Sequence, residues 1–151
     1  MNKTKIGIVS GYFNPIHVGH IQYINSAKEQ CDYLICIVNN DYQVNLKKSA
    51  KFMDENHRLE IINNIKSIDK AVLSIDSDSS ISATLELLTK DINHKNTEVF
   101  FFNSGDRSIN NENLQEKYIC DKNNINRVFI RLPKIFSSSE LKRNLSSDNI
   151  K

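Results

Sequence analysis

The stretch KIGIVSGYFNPIHVGHIQYINSAKE, residues 5–29, decides the fold. Its first five residues, Lys5 to Val9, are short, β-branched and bounded by Ser10 and Gly11, which is the pattern of a buried strand. From Val18 to Glu29 the period changes, and Ile21, Ile24 and Ala27 recur at helical spacing with polar residues between them. Strand, loop and helix follow one another within a single short segment.

The same alternation continues outward from that unit. YLICIV (Tyr33 to Val38) reads as a second buried strand, and NNDYQVNLKKSAKF after it reads as a polar loop with three lysines. Asp54 is placed to cap a helix through HRLEIINNI, where Leu59, Ile62 and Ile65 share a face. AVLSI (Ala71 to Ile75) is a third strand, and the DSDSS loop leads into a third helix over SATLELLTK. EVFFF (Glu98 to Phe102) is a fourth strand, a helix covers Asn113 to Lys122, and RVFIRL (Arg127 to Leu132) is a fifth strand. The serines of FSSSELKRNL stand where they can cap a last helix.

Strands alternating with helices imply a parallel sheet covered on both faces, a doubly wound α/β fold of about five strands. Such sheets bind ligands at the carboxyl ends of their strands, where the strand order reverses. The loops after Val9, Val38, Ile75, Phe102 and Leu132 are therefore the ones to inspect.

A length of 151 residues fits one domain over 1–151, and 39% apolar with 25% charged residues is a globular composition. A net charge of +2 is too weak for a nucleic-acid footprint but leaves small anionic ligands open. Cys31, Cys36 and Cys120 are odd in number and lack CxxC spacing, so they read as reduced core residues. No run approaches the roughly 20 apolar residues of a membrane span, and the amino terminus lacks a signal-peptide pattern. The expectation is a cytoplasmic protein with neither nucleic acid nor membrane as partner.

The first loop carries the chemistry. Gly7, Gly11 and Gly19 do not make GxGxxG, and no lysine follows a glycine as in a P-loop. His17 and His20 instead straddle the start of the first helix, with Gly19 between them. Packed imidazoles, a metal pair and a phosphate clamp all fit the spacing. Zinc normally takes a third protein ligand, which the sequence does not name, whereas a helix N-terminus favours a phosphate.

GYFNPIHVGHIQYINSAK resembles the GxFDxxHxGHxxxLxxAK signature of the cytidylyltransferase-like branch of the HxGH nucleotidyltransferase superfamily. NNDYQVNLKKSAKFMDENHRLEII looks like the family's lysine-bearing loop and arginine-containing helix. FFNSGDR is similar to its Gly-Asp strand end, and FSSSELKRNL to its serine-rich phosphate segment. The resemblance implies a Rossmann-like nucleotidyltransferase fold and transfer of CMP from CTP to the phosphate of a small hydrophilic acceptor, with release of pyrophosphate. Family acceptors include glycerol phosphate, sugar phosphates and a phosphorylated glutamine amide, some of them capsule precursors. It implies magnesium with the nucleotide and a homodimer.

By the same resemblance, His17, His20, Lys47 and Arg58 would be catalytic. Gly11, Tyr12, Phe13, Asn14, Gly19, Gly105, Asp106, Ser137, Ser138 and Ser139 would join the histidines in holding the nucleotide, with Asp106 near the metal. Lys48, Arg107, Arg131 and Arg143 are candidates for phosphate or acceptor contacts. Asn14 stands where the cytidylyl branch usually has aspartate and adenylyl branches often have asparagine, which makes an ATP-using adenylyltransferase the alternative. Leu132 falls where the family has an arginine, with Arg131 one residue away, which motivates a further alternative, an inactive nucleotide-binding module.

Overall fold

The computed structural model describes residues 3–104 and 113–131. Strand β1 (Thr4–Gly11) is followed by helix α1 (Val18–Lys28), strand β2 (Tyr33–Val38), and helices α2 (Asp41–Leu46) and α3 (Glu55–Asn63). Strand β3 (Lys70–Leu73), helix α4 (Ser82–Thr89), strand β4 (Thr97–Ser104), helix α5 (Leu114–Lys122) and strand β5 (Ile125–Ile130) complete the described part.

All four strand pairings are parallel, and the sheet order is β3-β2-β1-β4-β5. The chain winds outward from β1 through β2 to β3, then returns to the other side of β1 for β4 and β5. The strand order thus reverses between β1 and β4, and the crevice beyond their carboxyl ends is where such a fold takes its ligand. The doubly wound fold read from the sequence is the one observed.

The two-residue period of the strands builds two cores. Val9, Leu34, Cys36, Val38 and Phe102 face α1 and α3, packing with Tyr23, Ile24, Ala27 and Ile62. Their neighbours Ile8, Ile37, Val99 and Phe101 face the opposite way, against Ile81 and Leu85 of α4 and Cys120 of α5. Burial on both faces explains why the strands read as nearly continuous apolar runs. Tyr23 ties α1 across the sheet by donating its hydroxyl to the Phe102 carbonyl at 2.6 Å.

Gly7 is required by close packing, because a Cβ there would stand 2.7 Å from the Cys31 sulfur and 2.8 Å from the Phe102 ring. All three cysteines are free thiols, and burial pushes each one's pKa up, Cys120 to about 12. No helix among the described residues is long and apolar enough to cross a membrane.

Several elements differ from the sequence reading: β3 ends at Leu73, and Ile75, expected as its last residue, is exposed beyond it. The lysine loop begins with a real helix, α2, because Asn40 and Gln43 form a capping box: Asn40 accepts from the Gln43 N–H, and the Gln43 side chain accepts from the Asn40 N–H. Strand β5 starts at Ile125 rather than Arg127, since Ile125 pairs with Val99 and is buried in the α4–α5 core. The helix expected over FSSSELKRNL lies outside the described residues.

Candidate active site

At the carboxyl end of β1 the chain turns sharply. Phe13 adopts a left-handed backbone with φ of 51°, uncommon for a bulky residue, and its buried ring folds back over Gly11. A Cβ on Gly11 would stand 2.8 Å from the Phe13 ring, so glycine is needed for the ring to lie there. The same ring meets His20 edge-on, with centroids 5.0 Å apart. The Asn14–Pro15 peptide is cis.

His17 and His20 stack with ring centroids 3.8 Å apart and planes 26° from parallel. Both rings cap α1. His17 Nδ1 accepts from the Gly19 N–H at 3.1 Å, and His20 Nδ1 accepts from the His17 N–H at 3.1 Å. A neutral imidazole that accepts at Nδ1 carries its proton on Nε2, so the cap fixes the tautomer of both rings. Burial, then the neighbouring His17, push the His20 pKa down from 6.5 to about 3. His20 is therefore a neutral hydrogen-bond donor at physiological pH.

This arrangement refines the expectation of a phosphate held by the helix N-terminus. The Gly19 and His20 amides are occupied by His17, through its Nδ1 and its carbonyl. With those amides occupied, the helix N-terminus leaves the imidazole Nε2–H groups outside the cap. A metal pair suits the geometry poorly, because the Nδ1 atoms are committed to the cap. Among the described residues there is no cluster of three metal-ligating side chains.

Lys47, at the carboxyl end of α2, lies with its ammonium 4.1 Å from the Tyr12 ring centroid, a cation–π contact that carries it over the first loop. Lys48 is exposed and left-handed, with φ of 55°. Lys51, which the sequence reading did not single out, approaches Asp41 at 3.5 Å. Arg131 is exposed just past the end of β5.

Arg58 calls for a correction. It is fully buried and donates to the carbonyls of Met53, Tyr12 and Asn39 at 3.1, 2.8 and 2.6 Å, and to Asp41 Oδ1 at 2.9 Å. With its fork spent on these partners, it lies behind the site and ties the ends of β1 and β2 to α2 and α3. All of its described partners are protein groups, so in this structure it braces the first loop where the resemblance implies a catalytic residue. Burial pushes the Asp41 carboxyl up, but hydrogen bonds from the Arg58 guanidinium and the Glu55 backbone, with the charge of Lys51, hold it below the usual carboxylate range.

Asn14 is 4% exposed and its carboxamide is fully engaged: Nδ2 donates to the Ala50 carbonyl at 2.8 Å, and Oδ1 accepts from the Phe52 N–H at 2.8 Å. Sequence reading missed Asn39, Asp41 and Gln43 as supports. Gln43 is buried, accepts from Asn39 and donates to the carbonyls of Asp78 and Ser80. The N-x-x-Q spacing of Asn40 and Gln43 was the available signal for α2 and this network. The expected site residues Gly105, Asp106, Arg107, Ser137, Ser138, Ser139 and Arg143 lie outside the described residues, as does Leu132.

For magnesium, the described groups at the crevice are imidazole and ammonium donors, and the nearby Asp41 carboxylate is taken by Arg58 and Lys51. They suit an anion rather than a protein-held cation. Magnesium would enter such a site with a phosphate-bearing ligand, held by phosphate oxygens and water. The arrangement can bind a polyphosphate and stabilise charge developing on it without supplying a base.

Against known proteins, residues 8–150 match the family model described as cytidylyltransferase-like. A protein named FAD synthase from Thermococcus sibiricus is 29% identical over 142 residues, covering 93% of this chain and 88% of the relative. A second FAD synthase, from Thermoplasma acidophilum, is 32% identical over 71 residues, covering 47% of this chain; the match spans half the length of that relative. The crystal structure of the lipopolysaccharide core biosynthesis protein from Thermoplasma volcanium superposes with a TM-score of 0.66 at 21% identity, covering 89% of this chain and all of that one. That likeness establishes the shared fold.

Proposed function

We propose, from the premise that this chain belongs to the cytidylyltransferase-like family and is a nucleotidyltransferase, that it transfers CMP from CTP to the phosphate of a small hydrophilic acceptor. The observation that carries the reading is the stacked pair His17 and His20, locked by the helix cap into the Nε2–H tautomer at the β1–β4 crevice. In this reaction an acceptor phosphate oxygen attacks the α-phosphorus of the triphosphate, and the bond to the bridging oxygen of pyrophosphate breaks. The acceptor is already ionised near neutral pH, so alignment and charge stabilisation supply the rate.

His17 and His20 would donate from Nε2 to the non-bridging oxygens and the departing pyrophosphate. Lys47, on its tether over Tyr12, would add a full positive charge. Magnesium would enter with the triphosphate and offset part of its charge. Tyr42 and Phe52 are the exposed aromatic residues of the lysine loop, too few for the cage that a choline headgroup favours. A glycerol, sugar or amide phosphate suits the polar surroundings better.

The names of the relatives support a second reading. Flavin adenine dinucleotide contains an AMP unit, so relatives named FAD synthase speak for ATP as donor. A pyrophosphate-release screen separates the two, with CTP and ATP each run against glycerol phosphate, sugar phosphates, phosphorylated amides and FMN. Release with CTP and an aliphatic phosphate is the expected result. Release with ATP alone would replace the donor, and no release with any pair would overturn the reading.

A further inference from the structure

The segment after α2 has little apolar reason to stay in place. Lys47, Lys48, Ala50, Lys51 and Phe52 are all exposed, and Phe52 is 43% accessible despite its size. It nevertheless carries Lys47, Lys48 and Lys51, and Lys47 lies 4.1 Å from the Tyr12 ring centroid of the first loop. Polar ties hold it: Lys47 on the Tyr12 ring, Lys51 near Asp41, Arg58 on the Met53 carbonyl, and between them the carboxamide of Asn14.

The Asn14 contact is bidentate and directional. Its NH₂ faces the Ala50 carbonyl and its oxygen faces the Phe52 N–H, two residues along, so the side chain copies the pairing that a neighbouring strand would offer. The flipped amide would set like groups against like, and only one orientation satisfies both partners. A carboxylate could accept from Phe52 but would set its second oxygen against the Ala50 carbonyl. An aspartate here would keep one bond and turn the other into a repulsion.

We infer that Asn14 is a positioning residue whose carboxamide latches residues 50–52 to the end of β1 and so sets the lysine segment over the crevice. The choice of asparagine at this position answers to the loop and not to the base of the nucleotide. The kinetic part of this inference rests on the nucleotidyl-transfer reading; the latch itself does not.

The test compares wild type with N14D and N14A by hydrogen exchange of the peptide spanning 47–53, and by transfer kinetics with CTP and ATP, from pH 8 to pH 5. Losing a buried hydrogen-bonded pair should raise exchange of this peptide roughly tenfold in N14A at every pH. In N14D exchange should rise similarly at pH 8. It should return toward wild type near pH 5, where the introduced carboxyl, its pKa raised by burial, regains a proton to give to Ala50. kcat relative to wild type at the same pH should follow the loop, while the CTP-to-ATP preference stays constant.

Wild type gives an independent reading, since the Phe52 amide should exchange slowly despite the exposure of its residue. Wild-type exchange at 47–53 in N14D at pH 8, a loss without pH dependence, or a fast Phe52 amide would overturn the latch. A changed donor preference in N14D would assign Asn14 to base recognition instead. Loop changes as expected with no transfer from any donor would leave the latch standing and remove the function.

Discussion

At His17 and His20 each imidazole commits Nδ1 to the helix cap, and the proposed reaction assigns Nε2–H to the ligand. Alanine would remove both roles, so more selective substitutions are needed. Asparagine is a good N-cap and glutamine serves the third position of a capping box, so H17N and H20Q should keep α1 while removing the rigid ring that places the Nε2–H beyond the cap. Each should lower turnover about 100-fold with little change in melting temperature, measured by pyrophosphate release beside a thermal melt. A near-normal rate would take that histidine out of the chemistry. The buried neutral state of His20 also sets a pH dependence of stability. Its folded pKa, about 3, is below the 6.5 of the unfolded chain, so between these values the unfolded state binds more protons and stability falls with acidification. The slope from this one group approaches about 1.4 kcal/mol per pH unit. Urea unfolding at pH 7, 5.5 and 4 should show it in wild type, with a shallower slope in H20Q; parallel slopes would contradict the neutral ring.

Among the elements, Arg58 joins α2 and α3 to the ends of β1 and β2 by polar bonds. R58K keeps the charge but cannot reach three carbonyls and a carboxylate together, so buried acceptors lose their partners. Such a loss costs about 3–5 kcal/mol, which denaturant titration would register; a change below about 1 kcal/mol would mean that the carbonyls find other donors. Helix α4 shows the same dependence on distant residues. Ile81 at its N-cap offers no side-chain acceptor, and the cap comes from buried Asp76, which accepts from the Ala83 and Thr84 amides. These ties explain what could be read from the sequence. Strands β1, β2 and β4, with α1 and α3, were legible because apolar periodicity and adjacent caps are local signals. The short α2 was hidden in a polar run, with only its capping box to betray it. Asn14 reaches a partner 36 residues away and Arg58 one 46 residues away, which no local pattern encodes. The histidine motif announced the crevice, whereas Lys51, Asp41 and Gln43 became visible only when folding brought their partners close.

For the whole molecule, the crevice lies where the windings of the sheet part, between β1 and β4, and a bound nucleotide would link β1 and α1 to the lysine segment. Ligand binding to the folded state alone adds about 2.7 kcal/mol at 100 times Kd, and a domain of this size gains roughly 2–4 °C per kcal/mol. Magnesium with the true donor should therefore raise the melting temperature by about 5–10 °C, and the wrong nucleoside triphosphate at equal concentration by far less. Equal shifts with CTP and ATP would show that the base is not read in the ground state. The raised thiol pKa values of Cys31, Cys36 and Cys120 also have a practical consequence. With so little thiolate at neutral pH, the native background toward maleimides should be slow. A single cysteine introduced by Ser49→Cys would then accept a fluorophore selectively, making the lysine segment an optical reporter of nucleotide arrival without removing any native thiol.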